Sequence, residues 1–260
     1  MGNMTAPSIH PAAANGFASN ASDYERTRPG YPASAVDFLV SQLGLRPGVT
    51  VADVAAGTGK LTRLLVPSGA RVVAVEPVAA MRAFLASTSG DVDVVDGTAE
   101  QLPLADASVD AITVAQAFHW FDGPRALTSF ARVLRPDGTL AVVYNHRDRA
   151  VAWLAAVNAL VEVHRDGTPQ QWDGEWVRAF DGCSDFVFTG RAEFDNPQLL
   201  TTTDFIARIR SMSYVGALPD AEQASLLSSI ESLIASHPET AGRRELVIPQ
   251  HTAIYTWRRR

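Results

Sequence analysis

The sequence contains a single cysteine, Cys183, in 260 residues. One cysteine cannot form an internal disulfide framework or a cysteine-based zinc site. No apolar run reaches the roughly 18 residues that a membrane-spanning helix requires, so we expect no contact with the membrane. Residues 1–20 also lack the charged-then-apolar order of a secretory signal. These deficits predict a cytoplasmic protein.

Basic residues are few, and only one of them is a lysine. The chain carries 22 basic against 28 acidic residues, a formal net charge of -6. Because phosphate backbones bind to concentrated basic faces, we expect no nucleic-acid partner. The six histidines show no i, i+4 pair, so we expect no metal site. The strong preference for arginine over Lys60, with much alanine and valine, indicates a GC-rich and bacterial genome.

The middle of the chain alternates between short apolar segments and amphipathic ones. Strands that are apolar on both faces are typical of a parallel sheet covered by helices on both sides. We therefore expect a doubly wound α/β fold, whose ligands bind in the crevice at the carboxyl ends of the strands. The predicted strands are 50–54, 71–75, 92–95, 109–115 and 139–144, and the predicted helices are 32–44, 60–66, 79–86 and 124–134.

A glycine-containing turn follows the first predicted strand. Residues 51–59 read VADVAAGTG, which places Gly57 and Gly59 where the strand gives way to a helix. Glycine lets the backbone approach a ligand closely, and a helix N-terminus presents unpaired N–H groups. Glu76 ends the second predicted strand, where its two carboxylate oxygens can accept both hydroxyls of a ribose. Together these features predict an adenosine-containing cofactor.

Two adenosine cofactors fit this description. The dinucleotide fingerprint requires glycine at position 62, which is Thr62 here. The negative charge of Asp53 would repel a pyrophosphate but attract the ammonium group of S-adenosylmethionine. S-adenosylmethionine is therefore favoured. An NAD(P)-dependent oxidoreductase and a catalytically inactive S-adenosylmethionine-binding module are the alternatives.

Five segments resemble, in order, the motifs of class I S-adenosylmethionine-dependent methyltransferases, in particular the type 11-like branch that modifies small molecules. They are the glycine turn at 51–59, the acidic motif Glu-Pro at 76–77, the adenine loop at 97–103, the fourth-strand motif with its Phe-His-Trp-Phe end at 109–121, and the turn at 132–138. The resemblance is strong over 24–145 and weak elsewhere. It implies a mostly parallel, seven-stranded Rossmann-like sheet and methyl transfer to a small-molecule acceptor.

The resemblance also implies the cofactor contacts. Asp53 would orient the methionine end, Glu76 would hold the ribose, and Thr98 and Ala99 would meet the adenine edge. Ala55 replaces the commonest first glycine of the turn and is tolerated if its φ is negative. Asp137 replaces a glycine of the later turn, whose geometry aspartate adopts readily. The complete set of expected cofactor residues is Tyr24, Asp53, Ala55, Ala56, Gly57, Gly59, Glu76, Pro77, Met81, Thr98, Ala99 and Gln116.

The reaction itself places few demands on the protein. Methyl transfer from a sulfonium is an in-line displacement, so the protein mainly aligns the acceptor and excludes water. His119 follows the fourth strand and has an unperturbed pKa near neutrality, which makes it the candidate general base. Aromatic packing of 118–121 is the alternative interpretation. The expected substrate residues are Arg28, Tyr31, Trp120 and His146.

The chain is expected to form one methyltransferase domain after a flexible arm. Residues 1–23 lack periodicity and are rich in alanine, serine, asparagine and proline. The domain, 24–260, comprises the cofactor-binding core at 24–145, inserted helices and acceptor-side elements at 146–245, and the last strand and tail at 246–260. We expect helices at 150–164, 172–180, 203–212 and 220–236, and strands at 186–194 and 246–257. Pro249 predicts an edge or bulge in the last strand.

Overall fold

The computed structural model describes residues 25–165, 169, 171 and 174–260. The predicted arm at 1–23 lies outside these ranges, as do Tyr24 and the start of the helix predicted at 172–180. Within the described ranges, no helix combines the length and the apolar character needed to cross a membrane.

In the described part of the chain, nine strands form two sheets. They are β1 (Thr50–Val54), β2 (Arg71–Val75), β3 (Asp93–Val95), β4 (Val109–Ala115), β5 (Leu134–Arg147), β6 (Phe186–Asp195), β7 (Gln198–Thr201), β8 (Glu245–Ile248) and β9 (Gln250–Arg259). The main sheet has seven strands in the order β3-β2-β1-β4-β5-β9-β6. The strands β1 to β5 are parallel, and β9 is antiparallel to both of its neighbours. The strand order reverses between β1 and β4, where ligands of such folds bind.

Helices cover both faces of this sheet, as the doubly wound prediction requires. Alternate residues of β1 enter different cores: Val51 joins the one that contains Leu39 and Leu65, and Ala52 joins the one that contains Phe130. The helices are α1 (Ala33–Gln42), α2 (Lys60–Leu65), α3 (Ala79–Thr88), α4 (Gly123–Val133), α5 (Ala152–Glu162), α6 (Thr202–Arg210), α7 (Ser213–Gly216) and α8 (Asp220–Ser236), with short 3₁₀ segments at Val66–Ser68, Phe118–Trp120 and Glu175–Phe180.

The inserted elements have a hydrophobic core of their own. Residues of α5, α6, α7, α8 and the β7–β8 pair enclose it, with the rings of Trp153 and Phe205 5.3 Å apart between centroids. β7 and β8 pair antiparallel over 198–201 and 245–248. This ladder was not expected from the sequence, because its short strands are separated by three helices.

The final strand differs from the prediction. The segment expected as one strand, 246–257, is divided at Pro249 into β8 and β9, which belong to different sheets. Proline lacks the N–H that a continuous ladder needs. The interruption expected at Pro249 thus separates two strands, and β9 lies inside the main sheet, between β5 and β6. The segment expected as a helix at 172–180 is a 3₁₀ turn at Glu175–Phe180 in its described part.

Candidate active site

A cavity of about 450 Å³ lies at the carboxyl ends of β1, β4 and β5. Ala55 and Gly57 line it from the turn after β1, Gln116 from the end of β4, and His146 from the end of β5. Trp176 adds a wall from the 3₁₀ segment that follows α5. The position is the one predicted for the ligand, at the reversal of the strand order.

The turn after β1 depends on its glycines. Gly57 and Gly59 have φ values of 59° and 83°, in the left-handed region that favours glycine. A Cβ on Gly59 would lie 3.0 Å from Cγ of Leu85, so the turn also packs too closely against α3 for a side chain there. The N–H of Ala56 donates to the carbonyl of Val75 at 3.1 Å, which ties the turn to β2.

Glu76 and the glycine turn form one hydrogen-bonded unit. One carboxylate oxygen accepts the N–H of Gly57 at 2.7 Å, and the other accepts the N–H of Val78 at 2.8 Å. Burial raises the pKa of Glu76, and these two N–H groups oppose the rise. Each oxygen keeps a second lone pair, so the carboxylate can still accept hydroxyls while it holds the turn in place.

Asp53 lies behind the turn and does not line the cavity. Its side chain is 1% exposed and accepts hydrogen bonds from Thr62 Oγ1 at 2.6 Å and Thr113 Oγ1 at 2.8 Å. Burial raises its pKa from 3.8 to about 6. The role implied by the resemblance, that Asp53 orients the methionine end, stays a prediction. The carboxylate of Asp53 fixes α2 and β4 beneath the turn.

Two residues without a glycine's freedom adopt left-handed conformations beside the cavity. Ala55 has φ of 55° and Gln116 has φ of 59°, at the ends of the neighbouring strands β1 and β4. Ala55 therefore does not meet the condition, a negative φ, under which alanine is tolerated without strain at this position. Such a conformation costs about 1–2 kcal/mol per residue and is concentrated at functional sites. Asp137 also has a positive φ, of 61°, which the short polar side chain of aspartate tolerates.

Four other predicted cofactor residues do not line the cavity: Pro77, Met81, Thr98 and Ala99. Sδ of Met81 lies 3.8 Å from where a Cβ on Gly57 would stand. Ala99 is 3% exposed, and Pro77 follows Glu76 directly. Oγ1 of Thr98 is buried and, within the described ranges, has no hydrogen-bond partner. These residues therefore border one side of the turn, next to the ends of β2 and β3.

His119 faces the cavity as a neutral ring. The backbone N–H of His119 donates to Tyr144 Oη at 3.0 Å, and Nδ1 of its ring lies 3.2 Å from the same oxygen. Burial lowers its pKa from the ordinary 6.5 to about 3. Trp120 also lines the cavity, whereas Phe118 and Phe121 pack in the aromatic core. Residues 118–121 therefore divide between the site and the core.

The segment 25–31 crosses the mouth of the cavity and carries the predicted Arg28 and Tyr31. Glu25 accepts a hydrogen bond from Thr58 Oγ1 at 2.6 Å and pairs with Lys60 and Arg63 beside the glycine turn. At the other end, the carbonyl of Gly30 accepts from Asn145 Nδ2 at 3.0 Å. The sequence offered no local signal for these contacts, because the partners are 33 to 115 residues apart.

Arg28 joins the same segment to the inserted helices. Its Nε donates to Ser211 Oγ at 3.1 Å, and its Nη2 donates to the Ser211 carbonyl at 2.9 Å. Arg28, Tyr31 and His146 all line the cavity. Among the described residues, no group of three or more His, Cys, Asp or Glu side chains could hold a metal ion.

Fold and site together define a Rossmann-like α/β protein with a cavity of about 450 Å³ at its switch point. Residues 52–142 match the family model described as a methyltransferase domain. An uncharacterised methyltransferase of Mycobacterium tuberculosis strain H37Rv is 38% identical over 237 residues, which cover 91% of this chain and 92% of that relative. The chain belongs to the class I S-adenosylmethionine-dependent methyltransferases.

Solved structures show the same fold. A candidate type II methyltransferase from Anaeromyxobacter dehalogenans has a TM-score of 0.62 at 23% identity, over 89% of this chain and 97% of that one. Geranyl diphosphate C-methyltransferase from Streptomyces coelicolor, solved with Mg²⁺, geranyl diphosphate and S-adenosylhomocysteine, has a TM-score of 0.50 at 16% identity, over 88% of this chain and 79% of that one.

Proposed function

We propose that this methyltransferase binds S-adenosylmethionine against the Gly57–Glu76 unit and transfers its methyl group to a small molecule held in the cavity. The observation that carries the proposal is the hydrogen bond from the Gly57 N–H to Glu76, at 2.7 Å. This hydrogen bond holds the glycine turn next to a carboxylate that can accept the two hydroxyls of a ribose. When bound, the cofactor supplies a methyl group on a sulfonium, and the neutral thioether that remains after transfer is a good leaving group.

The residues present fit this cofactor. Nε2 of Gln116 and Oγ1 of Thr98 are buried polar atoms without a hydrogen-bond partner in the described part of the chain. Buried polar groups are nearly always hydrogen-bonded, so each points to a missing ligand atom. Thr98 would meet the adenine and Glu76 the ribose, while Gln116 would meet the methionine moiety. Asp53 would act through the turn, by placing a negative charge beneath it.

The dinucleotide alternative is less compatible with the same residues. Thr62, at the position where that fingerprint has glycine, is fully buried and donates its hydroxyl to Asp53. Replacing it by glycine would remove this hydrogen bond. The buried carboxylate of Asp53 would also lie near a pyrophosphate, an unfavourable pairing of like charges. The inactive-module alternative is opposed by the open cavity that adjoins the turn.

The size of the cavity supports a small acceptor. Sites for small molecules usually have volumes of about 300–1,000 Å³ and combine apolar walls with a few polar groups. Here Trp120 and Trp176 provide apolar walls, and Gln116 and His119 provide polar groups. The neutral ring of His119 suits hydrogen bonding to the acceptor. With a pKa of about 3 it is too weak a base to carry a proton at rest.

Glu76→Gln tests the cofactor site. In the variant, the NH₂ group of the amide stands opposite one of the two backbone N–H groups that the Glu76 carboxylate accepts, from Gly57 and Val78. One hydrogen bond is then lost and one acceptor for the ribose is removed, so the affinity for S-adenosylhomocysteine should fall about tenfold or more. Calorimetric titration measures this change, and thermal unfolding reports whether the variant is folded. Asp110→Asn is the matched control, because Asp110 accepts one backbone N–H, from Thr50, at the opposite end of the sheet. Equal affinity in a folded Glu76→Gln variant would contradict the proposed site.

The class of acceptor can be tested with a cell extract divided by mass. The low-mass fraction should support release of S-adenosylhomocysteine from S-adenosylmethionine, and the macromolecular fraction should not. Activity confined to the macromolecular fraction would refute a small-molecule acceptor.

A further inference from the structure

The cavity is strongly basic although the chain as a whole is acidic. Six basic side chains line the cavity, but the only carboxylate in its described lining is Glu162. That carboxylate is shared with Arg165, 3.5 Å away. The formal net charge of the chain is -6. Within this lining, Lys60 is paired with Glu25 and Arg191 with Glu193. The basic lining residues are Arg28, Lys60, Arg147, Arg149, Arg191 and Arg208.

Two of these arginines lie deep in the cavity wall and meet across Gln250. Arg147 is the last residue of β5 and is directly opposite Gln250 in the β5–β9 ladder, so their side chains share one face. Arg208, from α6, donates to Gln250 Oε1 at 3.2 Å and to Gln198 Oε1. Arg208 is only 4% exposed. The main sheet and the inserted helices thus each supply one guanidinium to the same place.

Neither guanidinium has a carboxylate partner within the described ranges. Arg208 is bonded only to neutral amide oxygens, and Nη1 of Arg147 is buried without any hydrogen-bond partner there. Burial and the charge of Arg28 lower the pKa of Arg147 to about 10, and burial and the charge of Arg147 lower the pKa of Arg208. Buried charges without a counter-ion are strongly unfavourable. The wall is therefore incomplete without a negative group.

We propose that the methyl acceptor carries a carboxylate or phosphate group, which binds to Arg147 and Arg208 at the junction of the main sheet and the inserted helices. Guanidinium groups recognise both anions through paired, charge-assisted hydrogen bonds. This proposal rests on the proposed function. It adds the chemical class of the acceptor and assigns Gln250 as the residue that positions Arg208.

The test uses malonate and inorganic phosphate as probes, each against chloride at constant ionic strength, on the full chain saturated with S-adenosylhomocysteine. At least one of the two anions should raise the melting temperature, and the stronger one identifies the acidic group. Arg147→Gln should lower the affinity of the protein for that anion about tenfold or more. Arg147→Lys, which keeps the charge without the planar fork, should bind with intermediate affinity.

Two further measurements make the test decisive. Because Arg147 Nη1 has no partner to lose, Arg147→Gln should melt no lower than the wild type when no anion is added. Arg71→Gln is the control, since Arg71, on β2 and outside the cavity lining, forms an exposed ion pair with Asp93 of β3. It should keep the full response to the anion. Arg208→Gln provides a second variant at the same site, with the same expected loss.

The outcomes separate this inference from the proposed function. No response to either anion, or an unchanged response in Arg147→Gln, would overturn the acidic acceptor while leaving the cofactor site intact. Competition between the anion and S-adenosylhomocysteine would overturn it too, because the arginines would then bind the cofactor's own carboxylate. If S-adenosylhomocysteine does not bind at all, the proposed function fails, and anion binding by the unliganded chain decides whether the subsite exists.

Discussion

Replacing the buried Asp53 by asparagine should change how the stability of the protein depends on pH. The folded carboxyl has a pKa of about 6 against an ordinary value of 3.8, because burial disfavours its charged form. A raised folded pKa means that Asp53 contributes stability below pH 3.8, and that this contribution is lost as the pH rises through about 6. The full loss is about 3 kcal/mol.

Asparagine keeps a similar shape but carries no titrating proton. Its oxygen can accept from one of Thr62 and Thr113, and its amide can donate to the other hydroxyl. Any fixed cost of the substitution is the same at every pH and therefore cancels. The free energy of unfolding of Asp53→Asn, relative to the wild type, should rise by about 1.4 kcal/mol between about pH 5 and about pH 7.5.

Urea unfolding at these two pH values measures the change. Asp110→Asn is the control: although its partial burial acts the other way, the N–H of Thr50 and the guanidinium of Arg135 hold the pKa of Asp110 below its ordinary value. Asp110 is therefore ionised throughout this range, and the difference between Asp110→Asn and the wild type should stay constant. A constant difference for Asp53→Asn as well would refute the reasoning about its burial.

Two other predictions concern the strained turn and the histidine. Ala55→Gly should raise the free energy of unfolding by about 0.5–1 kcal/mol, because glycine removes the left-handed strain, whereas Ala155→Gly on the exposed face of α5 should lower it by about 1 kcal/mol. Urea unfolding decides, and a loss of stability at both positions would contradict the assigned strain. The ring of His119 should titrate with a pKa of about 3, as measured by NMR. A midpoint near its ordinary value of 6.5 would restore the general-base assignment.

The alternation of strands and helices and the glycine turn were predictable because their causes are local. Apolar runs, Gly57 and Glu76 express short-range requirements of a parallel sheet and a tight strand–helix turn. The mostly parallel, seven-stranded sheet follows from the family resemblance. Pro249 marked a real interruption, but the sequence did not show that the chain changes sheets there.

The rest of the site depends on contacts between distant residues. Arg28 and Ser211 are 183 positions apart, and Arg147 meets Gln250 only because β5 pairs with β9. The left-handed backbone at Ala55 has no sequence signature, since alanine rarely adopts it. The low pKa of His119 results from burial, which only the tertiary structure determines. The basic wall was missed for the same reason, because its arginines come from separate elements.

The central claim is that the Gly57–Glu76 unit binds S-adenosylmethionine. Calorimetric titration of the wild-type chain with S-adenosylhomocysteine, with NADH as a parallel control, tests it most directly. The account predicts micromolar binding of S-adenosylhomocysteine and no binding of NADH. Binding of NADH without binding of S-adenosylhomocysteine would contradict it.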